Sequence, residues 1–227
     1  MTETATDSSA PISGTMGAQS PTAAALMLAV KTLFAAIPEF TARDDQGLPD
    51  FGQAPRIFIA NHTSHVDTLT LWACLPAYLR AQTRPVAALD YWGATPLRRH
   101  IALRGLRAVL LDRSGSTPRD RVLAPAEDAL RAGSSLILFP EGTRGADDTP
   151  GPFKAGIYHL ALQTPGVSIV PVYLGNTRRS LPKGSWLPVP LICTARFGKP
   201  LRLEDGETKE AFLCRARDAV MALSPKL

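Results

Sequence analysis

Arg56-Ile57-Phe58-Ile59-Ala60, followed by Asn61-His62-Thr63-Ser64-His65-Val66-Asp67, is an apolar run that breaks into a polar turn. Five short, partly β-branched residues behind Pro55 read as a buried strand. From Val66 to Leu79 the pattern turns helical, with apolar or small residues at Val66, Leu69, Thr70, Ala73 and Ala77; Pro76 should kink this helix or end it early. Ser64 is the expected N-cap, and Asp67 falls three residues on, as in a capping box. An imidazole and a carboxylate therefore meet where a strand gives way to a helix start. The local dipole is positive there, and a substrate has access.

Two readings of this pair compete. In one, His62 is a general base that takes a proton from an incoming hydroxyl, while Asp67 fixes its tautomer and stabilises the imidazolium that forms. In the other, Asp67 only caps the helix and His62 satisfies backbone groups in a loop. Spacing alone does not separate them, because one His and one Asp are cheap to find.

A second stretch weighs on the choice. Leu136-Ile137-Leu138-Phe139 reads as another apolar strand, and it runs into Pro140-Glu141-Gly142-Thr143-Arg144. Gly142 lets backbone N–H groups come close to an anion. Arg144 can grip a phosphate with two parallel bonds. By itself this stretch points to an anion site, with a surface turn carrying a Glu–Arg pair as the lesser alternative.

Together the two stretches resemble the glycerolipid acyltransferase family, which includes the 1-acylglycerol-3-phosphate acyltransferases. Its signature is an Asn-His-x-x-x-x-Asp block followed by Phe-Pro-Glu-Gly-Thr-Arg, complete here as Asn61-His62 to Asp67 and Phe139 to Arg144. A third family block, Gly-x-x-Phe-x-x-Arg, is matched in part: Arg113 holds the final Arg, but Arg107 stands at the Gly position and Leu110 at the Phe position. The apolar run Val167 to Val172 around Pro171 and the segment Phe153-Lys154-Ala155-Gly156 also look like the family's. The resemblance spans roughly residues 50–203.

The resemblance implies a single α/β domain with a mixed, mostly parallel sheet flanked by helices, and the alternation of strand and helix patterns agrees. It implies transfer of a fatty acyl group from an acyl thioester, acyl-CoA or acyl carrier protein, to the free hydroxyl of 1-acylglycerol 3-phosphate, forming phosphatidate. Glycerol 3-phosphate, another lysophospholipid or a lyso-ornithine lipid is the alternative acceptor. The implied roles are His62 as base, Asp67 as its orienter, and Asn61 as a brace for the loop. Arg113, Glu141, Gly142, Thr143 and Arg144 are expected around the acceptor's phosphate. Backbone N–H groups near the helix start or at Gly142 are the expected oxyanion donors. No metal and no cofactor is expected, since the thiol carrier is a co-substrate. A metal-dependent hydrolase using His62, His65 and Asp67 fits poorly, because the chain has four histidines and no hydrolase spacing. A non-catalytic lipid-binding protein remains the other class.

The 227 residues suit one domain with a sizeable core, and 45% are hydrophobic. The net charge of +5 and a pI near 9.4 suit an anionic substrate and a membrane surface. No nucleic-acid motif accompanies the charge. Cys74, Cys193 and Cys214 are read as core or near-core residues of a reducing compartment.

Residues 1–20 are expected to be a disordered tail, with no basic region of a secretory signal. Residues 21–38 bracket an apolar segment, Thr22 to Ile37, interrupted only by Lys31. As a helix it would be about 24 Å long, too short to span a bilayer core of about 30 Å. It is read as lying in the interface, or else as an ordinary core helix. The acyltransferase domain is placed at residues 50–227, peripheral or monotopic on the cytoplasmic face of a membrane. Arg98, Arg99, His100, Arg104 and Arg107 form a basic helical stretch suited to anionic head groups. The loop from Arg178 to Pro188, with Leu181 and Trp186, suits the same layer. Further expectations are a helix from Thr117 to Ala132 kinked at Pro125, an edge or bulged strand at Pro171, a packed His159, and a last helix from Glu207 to Leu223.

Overall fold

The structure, a computed structural model, describes residues 21–25, 28, 36–41, 49–147, 149–180, 189 and 191–225. The expected tail at 1–20, most of the segment from Thr22 to Ile37, and residues 181–188 of the basic loop lie outside them.

Seven strands form one sheet: β1 (Ala36–Phe40), β2 (Arg56–Ala60), β3 (Thr83–Ala88), β4 (Val109–Leu111), β5 (Ser135–Leu138), β6 (Ser168–Gly175) and β7 (Cys193–Phe197). Their order is β1-β7-β6-β2-β5-β3-β4. Every neighbouring pair is parallel except β6–β7. The expected mixed, mostly parallel sheet is present.

The strand that decided the reading lies at the centre of the sheet. β2 pairs with β5 on one side and β6 on the other, so its apolar run is buried on both faces. Ile57 and Ile59 point into one core with Leu136, Ile169, Leu130, Ile157 and Phe212. Phe58 and Ala60 point into the other with Ile137, Val170, Leu71, Trp72 and Phe197. This period-two division makes the molecule a three-layer α/β/α sandwich. Helix α1 (Asp67–Cys74) covers the second core; α5 (Ala124–Arg131), α6 (Gly156–Gln163) and α8 (Lys209–Met221) cover the first. Between them in sequence lie α2 (Ala77–Gln82), the single turn α3 (Leu89–Trp92), α4 (Pro96–His100), which runs on into a π-helical turn at Ile101–Gly105, and α7 (Thr177–Ser180).

Several local expectations are corrected. Ala36 and Ile37 belong to an edge strand, not a helix, because they pair in parallel with Cys193 and Thr194; the sheet thus recruits residues ahead of position 50. Pro76, by contrast, acts as expected: the first helical run ends early, at Cys74, and a new helix begins at Ala77. The helix expected from Thr117 starts only at Ala124, with Pro125 in its first turn where no N–H is needed. Pro171 lies in an interior strand. It lies at a bulge, one of the two expected settings: its carbonyl accepts from Gly198 N, and the antiparallel register shifts by one residue between Val172–Phe197 and Ile169–Leu201. His159 and Cys214 are exposed, not packed. Arg107 leaves the basic face: Nη1 donates to Ala81 O (2.8 Å) at the far edge of the sheet.

Candidate active site

β2 carries the first polar turn to the carboxyl edge of the sheet, and β5, its direct neighbour, carries the second. Parallel pairing therefore explains why two stretches almost eighty residues apart in sequence form one site. Asn61 continues the β2–β6 pairing through its side chain: Nδ2 donates to Leu174 O (3.0 Å), and Leu174 N donates to Oδ1 (2.7 Å). The expected brace is thus a buried amide that closes the sheet beneath His62.

His62 Nδ1 lies 2.9 Å from Asp67 Oδ2. The same oxygen accepts the N–H of Thr63 (2.6 Å) and of Ser64 (2.7 Å). The helix starts at Asp67 with Val66 at its N-cap and no side-chain cap, so the expected Ser64 cap is not formed; Asp67 instead ties down the turn ahead of the helix and holds His62 through one oxygen. Because Oδ2 already serves as an acceptor, the network assigns the proton of His62 to Nδ1 and leaves Nε2 as the acceptor. The Asp67 side chain is fully buried, whereas His62 is part-exposed and borders a pocket.

Phe139 stacks on the His62 ring at 4.3 Å and 22°. It is the opening residue of the second motif, and apolar patterning alone reads it as one more strand residue. Glu141, expected on the acceptor's phosphate, is turned to another task. Oε1 accepts His62 N (2.8 Å) and Oε2 accepts Gly151 N (2.9 Å). Gly145 N then donates to His62 O (2.8 Å), which stitches the two turns together on both sides of the histidine. A carboxylate is poorly suited to face a phosphate, and its burial here is compensated by two backbone donors.

Gly142 has φ +70°, and a Cβ there would stand 2.7 Å from Lys154 Nζ. Its carbonyl accepts Arg113 Nη1 (2.9 Å). Arg113 leaves β4 on a turn held by Asp112, whose carboxylate takes Ser114 Oγ, Ser114 N and Thr117 Oγ1 at 2.7–2.8 Å. The Ser114 hydroxyl above all, with these other donors, draws Asp112 down to about 2. The other Arg113 nitrogen, Nη2, reaches Asp90 Oδ1 at 3.3 Å.

The expected oxyanion donors are already committed. The N–H groups of His62, Thr63 and Ser64 serve the two carboxylates, and that of Gly142 serves Phe139 O.

The pocket beside His62 has a volume of about 480 Å³. Arg113, Gly142, Thr143 and Arg144 line it, together with apolar residues such as Val86, Ala102, Leu106, Leu111 and Leu138. Of the residues singled out in sequence, His62, Arg113, Gly142, Thr143 and Arg144 thus share one cavity. Asp67, Asn61 and Glu141 stand behind it. His65 lies at the same pocket, with its ring stacked on Tyr91 at 5.7 Å. Desolvation, followed by Arg144, His62 and Arg98, lowers its pKa. No group of three His, Cys, Asp or Glu side chains suited to a metal occurs among the described residues.

The Acyltransferase family model matches residues 39–175, which hold both turns and β2 to β6. The chain belongs to the Acyltransferase family. It is 31% identical over 157 residues to the chloroplastic 1-acyl-sn-glycerol-3-phosphate acyltransferase BAT2 of Brassica napus, covering 64% of this chain and 41% of that protein. The 1-acyl-sn-glycerol-3-phosphate acyltransferase of Cocos nucifera is 29% identical over 71% of this chain and 50% of its own length. That of Haemophilus influenzae is 25% identical over 60% and 55%. The chain thus spans about half, or less, of the length of these relatives. The crystal structure of the 1-acyl-sn-glycerophosphate acyltransferase PlsC from Thermotoga maritima superposes with a TM-score of 0.67. It is 24% identical and covers 89% of this chain and 76% of that one, so this acyltransferase shares the fold.

Proposed function

We propose that the chain transfers a fatty acyl group from a thioester, acyl-CoA or acyl carrier protein, to the free hydroxyl of 1-acylglycerol 3-phosphate, forming phosphatidate. The observation that carries this reading is one cavity lined together by the His62 imidazole, the Arg113 and Arg144 guanidinium groups and apolar side chains. Relatives named for the same reaction support it. His62 Nε2 takes the proton of the acceptor hydroxyl as its oxygen attacks the thioester carbonyl. The new C–O bond forms, the C–S bond breaks, and the thiolate leaves with the proton that His62 held. Asp67 holds the imidazolium in place throughout. Arg113 and Arg144 receive the phosphate, with Thr143 and Gly142 shaping its seat. The thioester is a co-substrate, and no metal or prosthetic group enters the reaction.

A membrane surface supplies such substrates, and the sheet topology supports a docking face for it. The carboxyl ends of β2 to β6 and the amino ends of β1 and β7 share the edge at which His62 opens. Exposed apolar residues flank this edge on both sides: Leu89, Tyr91 and Leu97 beyond β3, and Ile37, Val189 and Ile192 around β1 and β7. Arg98, Arg99 and Arg179 stand among them, which suits an anionic leaflet. No helix among the described residues is long and apolar enough to cross a membrane. Docking of this edge places the pocket mouth at the lipid surface, on the cytoplasmic face where acyl thioesters are made.

The test is thiol release from an acyl thioester by purified protein, with and without lysophosphatidate. Release that depends on the acceptor is expected. Equal release without it contradicts acyl transfer and marks the protein as a thioesterase.

A further inference from the structure

The loop that carries Glu141 is held by a cation from an element that neither motif contains. Arg217 lies on α8, between Ala216 and Val220, whose side chains are buried in the core. Its Nε donates to Pro150 O (2.9 Å) and to Gly151 O (3.2 Å). Gly151 N belongs to the same peptide unit as Pro150 O, and it donates to Glu141 Oε2 (2.9 Å). Glu141 Oε1 in turn accepts His62 N (2.8 Å). A path of three hydrogen bonds thus leads from the last helix to the backbone of the histidine.

A peptide unit is planar, so fixing its carbonyl end also fixes the direction of its N–H. A guanidinium on that carbonyl polarises the unit and strengthens the N–H as a donor. Glu141 is 8% exposed, and its second oxygen depends on that N–H. The packing leaves little slack around this oxygen: a Cβ on Gly145 would stand 3.3 Å from it, and one on Gly151 3.4 Å. Gly145 N also donates to His62 O (2.8 Å), so the loop from Glu141 to Gly151 grips the histidine backbone at both its N–H and its carbonyl. Arg215, on the same helix, is the contrast. It binds Glu207 Oε2 (2.6 Å) and Arg202 O (2.8 Å), which anchors the start of α8 without reaching this loop.

We propose that Arg217 is a positioning residue for the base: through the Pro150–Gly151 peptide and Glu141 it fixes the His62 backbone, and so keeps Nε2 in place at the pocket. The inference rests on reading His62 as the base of acyl transfer. Arg217 does not line the pocket, so its effect reaches the reaction through position alone. It also lies beyond residues 39–175 of the family match, where no motif marks it. Without the guanidinium the Pro150–Gly151 peptide is free to turn, and Glu141 loses a well-directed donor. The share of molecules with His62 set for proton transfer then falls, while the walls that bind the acceptor stay as they are.

The test measures acyl transfer to lysophosphatidate by Arg217→Ala, Arg217→Met and Arg215→Ala, and repeats the Arg217 change in a Glu141→Gln background. Methionine keeps the apolar stem and its packing, so it is the variant read if alanine does not fold. Loss of the guanidinium should lower kcat about fivefold or more, with the acceptor's KM within about twofold, because small misplacements of a reacting group are costly. Arg215→Ala should lower Tm and leave kcat unchanged. In the Glu141→Gln background the Arg217 change should alter kcat less than about twofold, since the path is already cut there. Equal falls in kcat from the Arg217 and Arg215 variants overturn the proposal, because α8 then acts by packing alone. A full additional loss in the double variant overturns it too, as does wild-type kcat without Arg217. If the wild type forms no phosphatidate, the acyl-transfer reading fails, and the path is decided by hydrogen exchange of the His62 amide, followed by NMR with isotope-labelled histidine. Faster exchange in Arg217→Met but not in Arg215→Ala supports the path; exchange that is unchanged, or equal in the two, overturns it.

Discussion

Asp67 Oδ2 accepts three donors within five residues of sequence, so ordering of the turn and histidine orientation are one device. Glu141 belongs to the same device from the other turn. It was expected on the phosphate because its motif surrounds an anion site; the hydrogen bonds direct it to His62 N and Gly151 N. The difference can be measured. Glu141→Gln keeps one acceptor oxygen but turns an –NH₂ toward the second backbone N–H, leaving a buried donor unpaired at a cost of about 1–3 kcal/mol. The expected result is a drop in kcat of about tenfold or more with little change in the acceptor's KM. A raised acceptor KM with unchanged kcat would return Glu141 to the phosphate. Arg107 is informative in another way. Its φ of +53° is a conformation that glycine adopts without strain, and it stands where the family pattern has Gly. Its bonds to Ala81 O and from Arg84 Nε (each 2.8 Å) hold a backbone that an L-residue disfavours.

At the level of elements, the site is the junction of β2 and β5, and the Asn61 amide locks it to β6. Asn61→Ala removes both bonds to Leu174 and leaves a buried N–H and a buried carbonyl without partners. A loss of about 2–4 kcal/mol is expected from two such groups, read as a lower Tm and denaturant midpoint. Retention of wild-type stability would show that the strand ends do not depend on this bridge. The central strands β2 and β5 were legible because a short β-branched run buried on both faces has a strong signal. The edge strand β1 was not. Ala36 to Phe40 carry an apolar pattern that suits a helix equally well, and their partner in β7 lies more than 150 residues away. The start of α5 was misplaced for a related reason: Thr117 has an N-cap's chemistry, but its hydroxyl is drawn to Asp112.

At the level of the whole molecule, the two complete motifs made the family and the fold class legible, since parallel pairing of adjacent strands brings their turns together. The pocket proposed for the acceptor was only half legible. Arg113 and Arg144 come from motifs, but Asp90, Tyr91 and Trp92 lie on a single helical turn after β3, without periodicity or motif to mark them. The basic part of the proposed docking face, Arg98 and Arg99, was legible in the sequence, but its apolar part was not, because it joins residues from both flanks of the sheet. Exposed Tyr78 and Leu162 lie near the opposite edge and serve as controls. Leu97→Asp combined with Arg99→Glu should weaken sedimentation with anionic vesicles about tenfold or more, since each cation contributes about 1 kcal/mol at such a surface. Leu162→Asp should leave it unchanged. Equal effects from both variants would show that binding is not oriented by this edge.

The central claim is that His62 is the base of an acyl transfer to a lysophospholipid. The most direct measurement follows phosphatidate formed from lysophosphatidate and a labelled acyl thioester, by wild type and by His62→Ala, with circular dichroism confirming that both are folded. The account predicts labelled phosphatidate from the wild type and a loss of about 10² to 10⁴-fold in the variant. Phosphatidate formed at wild-type rate by folded His62→Ala would contradict it.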